Sequence, residues 1–590
     1  MGSRVLVYED GLVGQYTGLF AEELFLGAVF AVEASDVRVN LQVADGSSGL
    51  HFMGSRYGRG EVGEFVVIES QTSLLLGRVL ETRVPEKERG RLGRGRNGAE
   101  GLDVVGVVRL LASATYDKLK VTPGVKAYPR LGDRVYSAPH EFIEDLPVLM
   151  EEGIASEGDV RLPLGRIEVG AAGNVSLKPE VLFGRHCAVL GATGGGKSWT
   201  VARLLEGCRR YQSRVVLIDA TGEYSSMSGE DVIHYHLGSP VKTAAGSQAM
   251  SVPPSSFVEA DFLALFEPAG KVQGPKMREA IKSLRLAKLR PDLALDGIIV
   301  KIDEDKRPFM AALKDPKVAA ALADPSTPFE VKHLPHQIEQ ECVYPEGFLQ
   351  GGGRGEKDPS RWGREDGQFA HCVSLVSRIE GVVSSPAFDC VFDTTGVAMA
   401  GVVSDFVEGH EKLLRVCMSG IAYEFGAREV IANAIGRHLL NQARSGAFRE
   451  CPLVLVVDEA HCFVGKRYAG EDAIAQLDAF EIIAREGRKY GLCICLVTQR
   501  PRDVTVPVLS QIGTLIVHRL TNDRDRAVVE AACGEIDRSA SAFLPNLRPG
   551  EAVVIGIDSP IPLTMQVSPP VHKPESMGPS FQDRWSVEDP

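Results

Sequence analysis

The octapeptide Gly-Ala-Thr-Gly-Gly-Gly-Lys-Ser occupies residues 191–198 and follows directly on the apolar run 187–190. After it, Val201, Leu204 and Leu205 recur at the spacing of one helix face. The order is therefore strand, glycine-rich loop and helix, with the pattern GxxxxGK[ST] in the loop, which is typical of a P-loop. A glycine-rich turn that matched the pattern by chance would lack these flanking elements.

A P-loop binds the phosphates of a nucleotide mainly through its backbone. Glycines let N–H groups close around phosphate oxygens, and the N-terminus of the following helix adds positive potential. Lys197 is expected to reach the β- and γ-phosphates, and the hydroxyl of Ser198 is expected to bind Mg²⁺. The predicted nucleotide-binding residues are Gly191, Ala192, Thr193, Gly194, Gly195, Gly196, Lys197, Ser198 and Trp199.

Length and composition narrow the class of protein. At 590 residues the chain is too long for one core, so three or four domains are expected. No run of about 18 apolar residues and no secretion signal is present, and the 11 scattered cysteines include no CxxC pair, which predicts a cytoplasmic protein with reduced thiols and no membrane partner. The net charge of −13 taken alone argues against nucleic-acid binding, although a basic channel can lie inside an acidic exterior.

Continuous apolar runs alternate with helical patterns through most of the chain. The runs 215–218 and 453–457 are apolar throughout, and the segment 427–444 has apolar residues four apart with a glycine soon after its end. This alternation predicts an α/β fold, with a parallel sheet covered by helices on both faces. Further strand candidates of the same kind are 413–416, 493–497, 514–517 and 552–555.

Polar residues suited to nucleotide hydrolysis follow two of these strands. Asp458 and Glu459 come directly after the run 453–457, as expected of a Walker B motif. Asp458 is predicted to hold Mg²⁺ together with Ser198, and Glu459 to act as the general base for an attacking water. Gln499 ends another strand and is predicted to sense the γ-phosphate, with a hydrogen-bonded strand end as the alternative.

The segment 472–489 has a helical pattern and carries two arginines, Arg485 and Arg488. They lie three apart, so they share a helix face. One of them is predicted to act as an arginine finger in a neighbouring subunit, and a surface salt bridge is the alternative. His461 lacks a second metal ligand at helical spacing, which favours a site-orienting or buried histidine over a metal ligand.

The chain divides into five parts. Residues 1–150 contain short apolar runs between glycines and prolines, which predicts a small β-barrel. Residues 151–260 and 366–560 form the two parts of the ATPase core, and a mainly helical subdomain at 261–365 is inserted between them. Residues 561–590 are rich in proline and are expected to form an extended tail.

Two basic stretches interrupt this acidic chain. Residues 87–96 carry five basic residues and one acidic residue, and residues 271–290 carry seven basic residues and one acidic residue. Either stretch could contact phosphates, and either could equally be a solvated face. The second stretch has a helical pattern and, as a helix, could line a path for nucleic acid.

Several motifs in order resemble the ATPase of the HerA/FtsK superfamily. The P-loop region 185–198 and the segment Asp219-Ala-Thr-Gly-Glu-Tyr224 are similar to the first HerA motifs. Val456-Val-Asp-Glu-Ala-His461 is similar to the HerA Walker B motif, and residues 484–491 and 498–501 to the stretch that follows it. The resemblance covers roughly residues 1–260 and 366–570, on either side of the inserted subdomain.

The resemblance implies a RecA-like P-loop ATPase core behind a HAS-like β-barrel. It implies a homo-hexameric ring, with ATP and Mg²⁺ at subunit interfaces, that translocates double-stranded DNA as a helicase. HerA proteins act with a partner, which is a NurA-type nuclease or, in bacterial anti-phage defence, a sirtuin-type NADase or another nuclease effector. The alternative is a ring scaffold that assembles and activates an effector while ATP sets its state; the net charge favours this scaffold, and the stretch 271–290 favours the motor.

Overall fold

A computed structural model provides the structure of the chain. It describes residues 16–576 except 17, 42–49, 85–103, 118–119, 151–158, 168–172, 241, 326, 349–356, 394, 466, 470–473, 534–540, 542, 558 and 560. The basic stretch 87–96 lies outside the described residues, as does the end of the predicted tail beyond residue 576. Among the helices that are described, none combines the length and the apolar character needed to cross a membrane.

The chain forms two compact units, and each unit gathers separate stretches of the sequence. The first unit contains Met1–Tyr211, Gln499–Arg502 and Ile512–Val571. The second unit contains Gln212–Thr498, Asp503–Gln511 and His572–Pro590.

An antiparallel sheet of seven strands forms the N-terminal part of the first unit. The strand Asp36–Leu41 pairs on one side with Phe25–Val32 and on the other with Val104–Ala114, which closes the sheet into a barrel. Its residues are buried at alternate positions, as expected of a strand with one face towards a core. The predicted small β-barrel is therefore confirmed. In sheet order the strands are Asp36–Leu41, Phe25–Val32, Arg134–Ser137, Phe65–Glu69, Leu74–Arg83, Val104–Ala114 and Val121–Pro123.

A second sheet in the first unit carries the phosphate loop. Its strands in order are Gly173–Leu177, Leu162–Ile167, Leu563–Val567, Glu551–Gly556, Thr514–Val517 and Cys187–Leu190. The last two strands are parallel, and the other neighbours are antiparallel. The strand Leu563–Val567 lies in the stretch predicted as a tail, so these residues are sheet and not a loose extension. The α-helices of the first unit are His140–Glu144, Leu146–Leu149, Pro179–Phe183, Lys197–Arg209 and Asp523–Cys533.

The second unit is built on a sheet in which all neighbouring strands are parallel. Its strands in order are Leu492–Thr498, Leu453–Val457, Arg214–Asp219, Leu413–Gly420, Val232–Gly238, Gln248–Ser251 and Val397–Ala398. The central strands are buried along their length because helices cover the sheet, and they consist almost wholly of apolar residues. The predicted α/β fold with a parallel sheet is confirmed.

A long helical segment interrupts the second unit between its strands. Its helices are Glu259–Phe266, Gly270–Leu289, Arg307–Lys314, Pro316–Ala323, Leu334–Glu341, Asp366–Val383, Asp389–Phe392 and Met399–Glu408. The helices thus continue beyond residue 365, where the second part of the core was expected to begin. The short strand pairs between them are Val343–Tyr344 with Gly363–Arg364, and Gly347–Phe348 with Lys357–Asp358.

The remaining helices of the second unit test two predictions. The helix Ala427–Arg444 has the predicted limits. The helix predicted at 472–489 is wrong in its first part, because Ile474–Gln476 is a strand that pairs with Arg467–Ala469. The helix begins at Ala479, ends at Glu486 and continues as the 3-10 turn Gly487–Tyr490. The hairpin Leu50–Phe52 with Ser55–Tyr57 in the first unit and the helix Val506–Leu509 in the second complete these elements.

Candidate nucleotide-binding site

The phosphate loop lies in the first unit, between the strand Cys187–Leu190 and the helix Lys197–Arg209. Gly194 and Gly196 have φ angles of 75° and 116°, which glycine adopts without strain. A Cβ atom at Gly196 would also lie 3.1 Å from the Cα of Gly550. Turns of this kind collect backbone N–H groups into an anion site at a helix N-terminus. The backbone of the loop therefore has the form that phosphate binding requires.

Hydrogen bonds from its own unit hold the loop. The N–H of Ala192 donates to the carbonyl of Arg519 at 3.0 Å, and the N–H of Gly550 donates to the carbonyl of Gly195 at 3.1 Å. The Nζ of Lys197 donates to the carbonyl of Ala192 at 3.1 Å. The lysine ammonium therefore lies at the loop, where it was predicted to meet phosphate.

The first helical turn carries the two other predicted contacts, Ser198 and Trp199, and both side chains are partly exposed. A hydroxyl oxygen is a hard ligand of the kind that Mg²⁺ prefers, and Mg²⁺ is usually completed by phosphates, water and one or two carboxylates. Ser198 therefore fits the predicted magnesium role.

A buried histidine, His518, connects the helix that follows the phosphate loop to the strand Glu551–Gly556. Its side chain is 0 % exposed, and its Nδ1 lies 2.8 Å from the carbonyl of Glu551, while its Nε2 lies 2.8 Å from the hydroxyl of Thr200. Because a carbonyl only accepts, Nδ1 must carry the proton, and Nε2 then accepts from Thr200. Burial lowers the pKa of His518 to about 4, so the ring is neutral at physiological pH. The role of His518 could not be predicted from the sequence, since a single histidine after an apolar strand forms no recognisable pattern.

The structure brings Gln499 to the phosphate loop. The hydroxyl of Thr193 donates to the Oε1 of Gln499, and both residues belong to the first unit. The amide is therefore in contact with the segment predicted to surround the phosphates. Its role as a sensor remains a prediction.

The predicted Walker B residues, Asp458 and Glu459, follow the strand Leu453–Val457 in the second unit. Asp458 is 6 % exposed. Burial, together with the nearby carboxylates of Asp219, Glu459 and Glu223, raises the pKa of Asp458 well above its usual range. A divalent cation would offset these effects by favouring the ionised carboxylate, so the surroundings of Asp458 fit a magnesium ligand.

The surroundings of Glu459 fit an oriented carboxylate. Its φ angle is 48°, an unusual value for a residue other than glycine and one that often marks functional sites. The Nδ1 of His461 lies 3.2 Å from the Oε2 of Glu459 and 3.2 Å from the hydroxyl of Thr498. A hydrogen bond with the Cys462 thiol and the bond with Glu459 raise the pKa of His461 to about 9. Of the two interpretations of His461, the geometry favours the site-orienting one.

A buried ion pair supports the neighbouring strand end. Asp219 is 0 % exposed and receives Nε of Arg415 at 2.8 Å and Nη2 of Arg415 at 2.7 Å. The N–H groups of Gly222 and Tyr224 also donate to its carboxylate, at 2.7 and 3.1 Å. Asp219 therefore holds the turn that follows its strand. Arg415 lies inside a strand that was predicted from its apolar residues, and its partnership was not foreseen.

Comparison with known proteins identifies the relatives of this chain. The family described as "Helicase HerA, central domain" matches residues 162–324. The chain is 23 % identical over 490 residues to the DNA double-strand break repair helicase HerA of Pyrococcus furiosus, which covers 80 % of this chain and 79 % of the relative. It is 22 % identical over 421 residues to a probable helicase of Methanocaldococcus jannaschii, with coverage of 70 % and 71 %. These similarities support a HerA-type P-loop ATPase.

Solved structures similar to this chain include two other proteins. The plasmid coupling protein TrwB in complex with ADP and Mg²⁺ is 16 % identical, with a TM-score of 0.41 and coverage of 72 % of this chain and 99 % of the other. VirB4 of Thermoanaerobacter pseudethanolicus is 14 % identical, with a TM-score of 0.45 and coverage of 72 % and 100 %.

The two arginines predicted as finger candidates are exposed. Arg485 lies in the last turn of the helix Ala479–Glu486, its side chain is 65 % exposed, and its Nε lies 3.7 Å from Glu486. Arg488 is exposed on the 3-10 turn that follows, so the two arginines do not share one α-helix as predicted. Both side chains are accessible to a second copy of the chain. The finger role itself remains a prediction.

The basic stretch 271–290 forms the helix Gly270–Leu289 and the residue after it. Most of its cations contact acidic side chains or carbonyl oxygens of the same segment. The contacts are Lys276 with Glu279 and the Glu341 carbonyl, Arg278 with Glu259, Arg285 with the Pro325 and Thr327 carbonyls, Lys288 with Glu330, and Arg290 with Asp292. The structure therefore favours a paired surface over a continuous patch of free positive charge.

The segment that contains Lys573 and Glu575 contacts the turn that contains Glu223. The N–H of Glu575 donates to the carbonyl of Glu223 at 2.7 Å, and the hydroxyl of Ser225 donates to the carboxylate of Glu575 at 2.9 Å. The hydroxyl of Ser226 donates to the carbonyl of Lys573 at 2.7 Å. This segment thus fixes a turn that lies far from it in sequence.

Proposed function

We propose that this HerA-type ATPase is a cytoplasmic motor that moves double-stranded DNA through a homo-hexameric ring. The observation that carries the proposal is the contact of Thr193 with Gln499. A polar amide bound to the phosphate loop can respond when the γ-phosphate is lost, which is the event that must be turned into movement. Relatives named as DNA double-strand break repair helicases support DNA as the track.

Each predicted residue has a role in the proposed reaction. The backbone of the phosphate loop and Lys197 bind the ATP phosphates, and Ser198 and Asp458 are the protein ligands of Mg²⁺, which would neutralise charge on the phosphates when bound. Glu459, oriented by His461, accepts the proton of the attacking water. Each of these roles requires only the charge and the hydrogen-bonding groups that the named side chain carries.

In the proposed ring, ATP lies at the interface between neighbouring subunits. Arg485 or Arg488 of one subunit stabilises the charge that develops on the phosphates bound by the next subunit. The exposure of both side chains supports this assignment.

The second candidate function is a ring scaffold that assembles and activates an effector, with ATP setting its state. The effector would be a NurA-type nuclease, a sirtuin-type NADase or another nuclease, as in anti-phage defence. The internally paired cations of 271–290 and the net charge of −13 favour this candidate, because both weaken attraction to DNA phosphates.

The rate of ATP hydrolysis with and without duplex DNA separates the two functions. The motor predicts a several-fold stimulation by duplex DNA and a duplex affinity that falls steeply with salt, since phosphate contacts release counterions. Lys197→Ala is the control, because its residual hydrolysis should be at background with or without DNA. Hydrolysis that is unaffected by duplex DNA at low salt would contradict the motor and leave the scaffold.

A further inference from the structure

A buried polar cluster in the second unit joins three helices. It contains Asp261 on the helix Glu259–Phe266, and Asn433 and Arg437 on the helix Ala427–Arg444. The side chains of Asp261 and Asn433 are 0 % and 1 % exposed. Buried polar groups are costly unless they are hydrogen-bonded, so the partners of this cluster are informative.

Asn433 caps the helix that carries the first of the two arginines. Its Oδ1 accepts from the N–H of Ala479, the first residue of the helix Ala479–Glu486, at 2.9 Å. The first N–H groups of a helix have no partner within the helix, so a side-chain acceptor both satisfies one of them and fixes where the helix begins. Six residues after Ala479 the helix presents Arg485.

Asp261 determines which way the amide of Asn433 faces. The Nδ2 of Asn433 donates to the Oδ1 of Asp261 at 3.0 Å. The N–H of Ala479 can only donate, so the oxygen of Asn433 must face it, and the NH₂ group then needs an acceptor on the other side. Asp261 is that acceptor, and it is held in turn by Arg437 and by the N–H of Val258 at 2.8 Å.

The body of the arginine helix is also fixed to the helix Ala427–Arg444. A Cβ atom added at Gly436 would lie 3.1 Å from the ring of Phe480, so the two helices approach closely at this point. At the other end, Arg444 pairs with Glu486 at 2.9 Å. If the bond between Asn433 and the N–H of Ala479 shifted, the helix Ala479–Glu486 would therefore rotate about these two contacts. It would remain attached to the helix Ala427–Arg444.

We propose that Asp261 and Asn433 are positioning residues through which the helical segment 259–408 sets the place of Arg485 and Arg488 for ATP hydrolysis. The inference rests on the proposed function, in which one of these arginines acts on the phosphates of a neighbouring subunit. A displacement of about 1 Å of a catalytic group can lower a rate about 100-fold. Movement of the helical segment would thus be transmitted to hydrolysis through one buried amide.

The principal test is Asn433→Ala in the full-length chain, with the kcat for ATP hydrolysis and the Kd for ATP measured together. We expect kcat to fall about 10- to 100-fold, with Kd unchanged, because the arginine helix is displaced while the phosphate loop is intact. The matched control is Gln337→Ala, since Gln337 is a fully buried amide with bonds to Ile299 and Glu341 and is placed in the helical segment. If both variants lower kcat equally, or if Asn433→Ala hydrolyses ATP at the normal rate, the inference is wrong.

Two variants at position 261 separate positioning from folding. Asp261→Asn retains an acceptor for the amide of Asn433 and should keep most of the activity, whereas Asp261→Leu removes the acceptor and should lose as much kcat as Asn433→Ala. Equal loss in the two variants, or no loss in either, would contradict the assigned role. The unfolding midpoint of each variant shows how much of any change is loss of stability.

The arginine variants distinguish failure of this inference from failure of the proposed function. If Arg485→Ala and Arg488→Ala both hydrolyse ATP normally, the finger assignment fails, and this inference fails with it. If one of them is inactive while Asn433→Ala is fully active, only the positioning inference fails. If the finger assignment and the positioning inference both hold, adding Asn433→Ala to the impaired arginine variant should cause no further loss of kcat, since both changes act through the same arginine.

Discussion

The phosphate loop of the first unit and the carboxylates of the second unit are stabilised in different ways. The loop is held by backbone hydrogen bonds, by glycines at Gly194 and Gly196, and by the neutral ring of His518. The carboxylate cluster depends on charge, since Asp219 is buried against Arg415, and both burial and the nearby acids raise the pKa of Asp458. The loop predicted to meet anionic phosphates is thus built from dipoles, whereas the carboxylates proposed to hold Mg²⁺ and to activate water lie in a cluster of charged groups.

The largest effect is expected from Glu459→Gln, which removes the proposed base from the charged cluster. We expect ATP hydrolysis to fall about 100- to 10,000-fold, because the amide cannot accept the proton of water. ATP binding should persist, since the backbone-based loop is unchanged. Steady-state hydrolysis and equilibrium binding, measured on the same preparation, check both parts. Normal turnover in this variant would remove Glu459 from the mechanism.

The next effect concerns stability. Arg415→Met leaves Asp219 buried without its ionic partner, which should lower the free energy of unfolding by about 3–5 kcal/mol. The matched control is Arg548→Met in the first unit, because Arg548 forms an ion pair at 2.7 Å with Glu551 but is 69 % exposed. That change should cost less than about 1 kcal/mol. Urea unfolding of both variants gives the difference in the free energy of unfolding. Equal losses would show that the buried ion pair of the second unit matters no more to stability than the exposed pair of the first unit.

Several elements of both units were predictable from sequence. The phosphate loop, the strand Leu453–Val457 and the helix Ala427–Arg444 were predicted because their patterns are local. Arg415 was not, since its partner Asp219 is 196 residues away and nothing local indicates the pair. His518 was missed for the same reason: its partners Thr200 and Glu551 come from distant parts of the chain.

Other differences arose where tertiary contacts decide between local alternatives. The stretch that begins near residue 472 has apolar residues at helical spacing, but Ile474–Gln476 pairs with Arg467–Ala469 as a strand. The cations of 271–290 were visible in the sequence, whereas partners such as Glu259 and Glu330 became apparent only when the helices were packed. Periodicity therefore predicted the helix Gly270–Leu289 but not the use of its charges.

The smallest expected effect is on the pH dependence of stability, and it tests whether the His518 ring beside the phosphate loop is neutral. The pKa of His518 is lowered to about 4, so the unfolded chain binds a proton more readily than the folded chain. Its contribution to stability is complete above the usual histidine pKa of about 6.5 and is lost as the pH falls towards about 4. His518→Gln keeps a donor and an acceptor but cannot titrate. We expect the variant to lose less stability than the parent between pH 7 and pH 4, and an identical pH dependence would contradict the neutral histidine.

The contact between Glu575 and the turn of Ser225 joins residues that are 350 positions apart. A ribosome adds about 5–20 residues per second, so the turn waits for its partner for tens of seconds after its own synthesis. Both chemical motifs, the phosphate loop and the Walker B acids, have left the ribosome before this contact can form. Completion of the turn therefore comes after the synthesis of every proposed catalytic group, and a chain halted before Lys573 would carry all of those groups without it.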